Sequence, residues 1–144
     1  MYANHSLNFD LIARHDLLAS ENPGVYYEYR HSYIEFYQPA NNVELDLVDQ
    51  IVATAWNIRR AEQIEVALLD MEIESHAEEI CRKFRYIERP GIWAIAFKGL
   101  DHDHFQSLGR HLDRLHRRYI ELMQRLEAIQ SRPALRFRPS QKAA

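Results

Sequence analysis

Arg110, His111 and His116 sit within RHLDRLHRRYI (residues 110–120), and residues of these types can act on a phosphodiester. His116 would move the proton of an attacking 2′-hydroxyl, while Arg110 would steady the charge that grows on the phosphate. The same stretch supports two other readings. Arg110, Arg114, Arg117 and Arg118, extended by Arg125, Arg132, Arg136 and Arg138, make a cationic surface for RNA or DNA, bound without sequence preference and with strong salt dependence. Alternatively, the arginines are the solvated outside of a helix, or they pair with acids of a neighbouring helix or subunit.

The choice depends on the elements that carry these residues. Pro23, Gly24, Pro39, Pro90, Gly91, Gly99, Gly109, Pro133 and Pro139 are all the helix breakers the chain has, and none falls between Ala40 and Arg89. So long an uninterrupted run, rich in Leu, Ala, Glu, Ile and Arg, predicts a long helix. A first helix starts at Asn22-Pro23 and reaches about Tyr37, with Tyr26, Tyr29, Tyr33 and Phe36 as an aromatic stripe. A second runs from about Val43, capped by Asn42, to about Ile80. Its first part carries Leu45, Val48, Val52 and Ala55 on one seam and Leu47, Ile51 and Ile58 on another. FRYIERPGIWAIAFKGLD then turns the chain, with the short apolar piece 92–97 covering the end of a bundle.

The third helix, from about Asp101 to Gln130, has the clearest periodicity. Phe105, Leu108, Leu112, Leu115, Tyr119, Leu122, Leu126 and Ile129 fill its a and d positions. In that frame Arg110 and Arg117 are at f, Arg114 at c, and His111, Arg118 and Arg125 at g, all turned from the seam. The expected fold is all-α: an antiparallel hairpin of two long helices with an N-terminal third helix, forming a three-helix bundle. Residues 1–131 would be a single domain and 132–144 a basic, flexible tail. Long helices with broad apolar faces leave surface to cover, and a second copy of the chain is the natural cover.

Bulk properties narrow the function classes. A chain of 144 residues at 47% apolar composition can bury a core. The net charge of −3 conceals an asymmetry. Residues 1–103 hold 9 Lys+Arg against 18 Asp+Glu, whereas 104–144 hold 9 against 3. Cys81 stands alone, which excludes an intrachain disulfide or thiolate cluster. There is no signal-like N-terminus and no span-length apolar run, so a cytoplasmic setting without a membrane partner is expected. No Gly-rich phosphate loop, nucleophile triad or Walker-type lysine is present, and no cofactor is expected.

LVDQIVATAWNIRRAEQIEVALLD (residues 47–70) resembles a segment of an uncharacterised bacterial group of small helical proteins. In that group a Leu-Val-x-x-Ile run precedes a Trp-x-x-Arg-Arg-Ala-Glu block. LGRHLDRLHRRYIELMQRLEAIQ (residues 108–130) is similar to the group's last helix. The resemblance implies an all-α fold and a bacterial origin, and no activity. Arg110, His111 and His116 also match the spelling of the HEPN ribonuclease motif, an Arg with a His four to six residues on. A regular helix, however, turns Arg110 and His116 about 120° apart, so one phosphate could not meet both without a helix break or a second chain.

Other clusters are weaker. Asp101-x-x-His104, Asp113-x-x-His116 and Glu72 with His76 have one-face spacing, but the repeated Glu-x-x-His and extra glutamates of a two-metal bundle are missing, and no metal is expected. Asp101 reads more simply as a helix cap, with Asp103 favouring the positive end of the helix dipole. Arg59 and Glu62 interrupt an apolar seam; buried, they would have to pair, so a structural ion pair is expected, with Trp56 packed over the arginine. Glu65, Glu72 and Glu79, at heptad spacing, are candidate partners for the arginines. The expectation is a non-enzymatic helical protein that works as a homo-oligomer, with nucleic-acid binding and HEPN-like cleavage as alternatives.

Overall fold

The computed structural model describes residues 17–83 and 89–132. Among these the chain is all-helical, without a strand. The helices are α1 (Pro23–Tyr37), α2 (Asn42–Ser75), α3 (Ala77–Lys83), α4 (Arg89–Gly99) and α5 (His102–Gln130). The segment after Pro133, with Arg136 and Arg138, and the N-terminal sixteen residues lie outside the described part.

Local chemistry sets the boundaries. Asn22 caps α1 by accepting from the Gly24 N–H at 2.9 Å, and Pro23 fills the first helical position, where no N–H is needed. The helix closes at Gln38, which takes the left-handed conformation (φ 45°, ψ 60°) and donates its N–H to the Ile34 carbonyl. The cap of α2 is Asn41 rather than the expected Asn42: its Oδ1 accepts from the Glu44 N–H at 3.0 Å. Asp101 caps α5, accepting from the N–H groups of Asp103 and His104.

Two expected segments differ. The second helix does not continue to Ile80 but ends at Ser75, and α3 starts after His76. The Ser75 hydroxyl bonds back to the Glu72 carbonyl at 2.9 Å, and the His76 ring lies 3.0 Å from the same oxygen. Side chains competing for a helix carbonyl loosen the backbone ladder there. Residues 92–97, expected as a short piece in a turn, belong to α4, which begins at Arg89 with Pro90 and Gly91 in its first turn.

The chain divides into two compact units, described residues 17–52 with 120–132 and described residues 53–83 with 89–119. In the first unit the core is Tyr26, Val48, Ile51, Val52, Leu122 and Leu126. Its α1 face holds Tyr26, Tyr29 and Tyr33 as expected, but it takes in Arg30 and Tyr37 while Phe36 leaves it and is 79% exposed. Arg30 is buried and grips Asp49 of α2 through two bonds, Nε to Oδ1 at 2.7 Å and a terminal nitrogen to Oδ2 at 2.9 Å. The Tyr29 and Tyr33 hydroxyls meet at 3.0 Å, and the Tyr37 hydroxyl donates to Met123 Sδ at 2.8 Å. These rings are packing residues, not a free stacking platform.

Among the described residues of the second unit the buried ones are Thr54, Ala55, Ala61, Ala96 and Leu100. Phe97 of α4 meets Phe105 of α5 edge-on, with centroids 5.4 Å apart. Gly99 is a close-approach position: a Cβ there would collide with the Glu72 carboxylate.

Candidate interaction surfaces

Along α5, Phe105, Leu108, Leu112, Leu115, Tyr119, Leu122, Leu126 and Ile129 are buried or half-buried, and Met123 is the only other residue of the helix that is not exposed. The apolar seam therefore faces inward. As a direct consequence Arg110, His111, Arg114, His116, Arg117, Arg118 and Arg125 are all exposed, since an amphipathic helix that buries one stripe must present the other.

The geometry bears differently on the three readings of RHLDRLHRRYI. Arg110 and His116 are both exposed and make no hydrogen bond with each other. Arg117 Nε donates to the Asp113 carbonyl at 3.3 Å. Arg110, Arg114 and Arg118 have no hydrogen-bond or ion-pair partner among the described residues. The glutamates thought able to meet them do not do so within the described chain. Glu65 is only half-exposed, and Glu72 turns to His76 Nδ1, 3.2 Å away. The outward row of guanidinium groups is therefore left with water as its neighbour.

Arg125 and Arg132 are brought together elsewhere. In the first unit they line an open groove of about 540 Å³ with Val43, Asp46, Leu47 and Ile129. This groove combines an apolar floor with two cations and one acid, and it gathers two of the predicted basic residues around one concavity.

The expected Arg59–Glu62 pair requires correction. Both side chains are exposed, so the burial that would have forced them to pair is absent. The seam rotates instead onto Ala61, Glu65 and Leu68, which keeps the charges in water. Arg59 does lie over Trp56, with its guanidinium carbon 5.7 Å from the ring centroid. The charged pair that matters to packing is Arg30–Asp49, which sequence reasoning missed. Its signal was present, because an arginine stands on the tyrosine face of the first helix at i, i+4 from Tyr26.

Two carboxylates have their pKa values pulled down, and both are structural. Glu44 is held below the usual range by the Ala40 N–H first, then by the Gln130 amide, with Asn41 adding a third donor. Gln130 Nε2 also donates to the Tyr37 carbonyl at 2.9 Å, so the last residue of α5 is tied to the α1–α2 loop. Asp101 is lowered chiefly by the His104 and Asp103 N–H groups, and its other oxygen is 3.1 Å from His104 Nδ1. The DHDHF cluster thus works as a cap. Among the described residues no three His, Cys, Asp or Glu side chains are grouped to hold a metal ion, and no helix is long and apolar enough to cross a membrane.

In comparisons with known proteins, the chain matches no family model, no curated protein and no solved structure.

Proposed function

We propose that this protein acts by assembly, as a homo-oligomer that binds rather than catalyses. The observation that carries the reading is the set of large apolar side chains that the second unit leaves in water. Ile64, Val66, Met71, Trp93 and Phe97 are exposed there, while three of the five residues buried among its described ones are alanines. Each large apolar side chain moved from water into an interface contributes roughly 1.5–3 kcal/mol before the costs of association are subtracted, so a cluster of them favours a partner. Val66 and Met71 are both exposed on α2, and Trp93 and Phe97 are one turn apart on α4.

Size-exclusion chromatography with light scattering tests this. The wild-type chain is expected to be larger than 17.1 kDa at tens of micromolar, and Val66→Ser with Met71→Ser to shift it toward the monomer. A wild-type monomer across that concentration range would remove the assembly reading.

A second reading, nucleic-acid binding, is favoured by one specific observation, the unpartnered arginine row of α5. It requires that binding of a single-stranded oligonucleotide fall steeply between 50 and 200 mM salt, by roughly 10-fold or more for a few phosphate contacts. Salt-indifferent binding would exclude it.

A further inference from the structure

The second unit carries two outward faces of opposite sign, and their spacing matches. On α2, Glu62, Val66, Asp70 and Glu74 follow one another at four-residue intervals, and all four are exposed. On α5, Arg110, Arg114 and Arg118 do the same, with Arg117 beside them. Residues at i, i+4 form a continuous ridge on a helix surface. From Glu62 to Asp70 is eight residues and from Arg110 to Arg118 is eight, about 12 Å along either helix. Midway stand an exposed valine and an arginine whose methylene stem can cover it. Residues 53–119 hold 11 Lys+Arg and 11 Asp+Glu, so the unit is neutral in sum and polarised in arrangement.

We infer that the α5 arginine ridge of one copy docks on the acidic α2 ridge of a second copy. This rests on the assembly reading and names the surfaces that meet. Arg110 and Arg118 face Asp70 and Glu62 in an antiparallel crossing, or Glu62 and Asp70 in a parallel one; Arg114 lies over Val66 in both. The arginines have no partner among the described residues of their own chain, so the contact breaks no existing ion pair of theirs. Each chain owns both ridges, so a two-fold arrangement forms the contact twice. A nucleic-acid polyanion would satisfy the arginines but meet repulsion from the acids of the same unit, whereas a second copy satisfies both ridges.

The test uses two charge-reversed versions of the full chain, Arg110→Glu/Arg118→Glu and Glu62→Lys/Asp70→Lys. All four positions are exposed, and circular dichroism with thermal melting verifies that both variants remain folded. Each variant alone is expected to self-associate at least about 100-fold more weakly than wild type, because like charges are set face to face. An equimolar mixture of the two is expected to recover a mixed oligomer, since every contact in it again joins opposite charges. Raising salt from 50 to 500 mM should weaken the wild-type assembly.

An oligomer that survives both reversals unchanged would overturn this docking while leaving assembly intact. A wild-type monomer at every concentration and salt would overturn both. If the arginine reversal abolishes binding of a single-stranded oligonucleotide and the mixture fails to associate, the ridge serves nucleic acid and the docking is wrong.

Discussion

Described residues 17–52 with 120–132 bury a tyrosine, an isoleucine, two valines and two leucines besides Arg30 and Glu44, whereas the described residues of 53–119 bury three alanines, a threonine and one leucine. The first unit is also latched by polar side chains, through Arg30–Asp49 and through Gln130 on Tyr37 and Glu44. The long helices α2 and α5 contribute to both units, so helix-forming tendency cannot explain the difference. What differs, among the described residues, is the size of the side chains that the helices bury. Both units leave large apolar side chains in water, Leu18, Val25, Phe36, Val43 and Ile120 in the first and Ile64, Val66, Met71, Trp93 and Phe97 in the second, so the contrast lies in what is buried and in the two charged ridges of the second.

That contrast can be tested by substitutions. Asp49→Ala should have the largest effect, about 3–5 kcal/mol in urea unfolding, because it leaves the Arg30 cation buried without its counter-charge. A loss under 1 kcal/mol would mean that the pair does not anchor the first unit. Leu126→Ala, at a fully buried site, should cost about 2–5 kcal/mol, and Leu112→Ala, half-buried on the same seam, roughly half as much. Equal costs would erase the distinction between the units.

Acid should act through both caps in the same direction. The carboxyls of Glu44 and Asp101 are lowered in the fold, so each contributes stability that is present above its unfolded pKa and is lost as the pH falls through the carboxylate range and below it. Glu44→Gln should therefore flatten the decline in stability between pH 6 and pH 3, measured by denaturant melts across that range. An unchanged slope would count against the Gln130–Glu44 latch. The smallest expected change is a gain. Gln38 holds a left-handed backbone with a Cβ, and Gln38→Gly should stabilise by about 0.5–1 kcal/mol, read as a higher melting temperature.

Much of the fold was legible because it is local. Asn22-Pro23 announced the start of α1, and the spacing of eight residues from Phe105 to Ile129 named the buried side of α5 and therefore the outward arginines. A helix turns by a constant angle per residue, so a regular stripe determines a face without knowledge of its neighbour. Where the chain departed from expectation, the cause was a partner or a competing side chain. Phe36 left the aromatic stripe of α1, which took in Arg30, paired with Asp49 of a distant segment. The second helix is interrupted at His76, where the Ser75 hydroxyl and the His76 ring both meet the Glu72 carbonyl that the His76 N–H also reaches. Arg59 and Glu62 stayed in water because Ala61 could face inward in their place.

By itself, then, the order of residues determined that the chain is helical, where α1 and α5 start, and which side of α5 is oily and which cationic, all consequences of short-range periodicity and capping. Only the tertiary structure decided that Arg30 is buried, that Gln130 reaches Tyr37 and Glu44 across 93 and 86 residues, and that Arg110, Arg114 and Arg118 find no acid among the described residues of their own chain. Pairings at that separation depend on where two distant segments come to lie, and no local pattern carries that information.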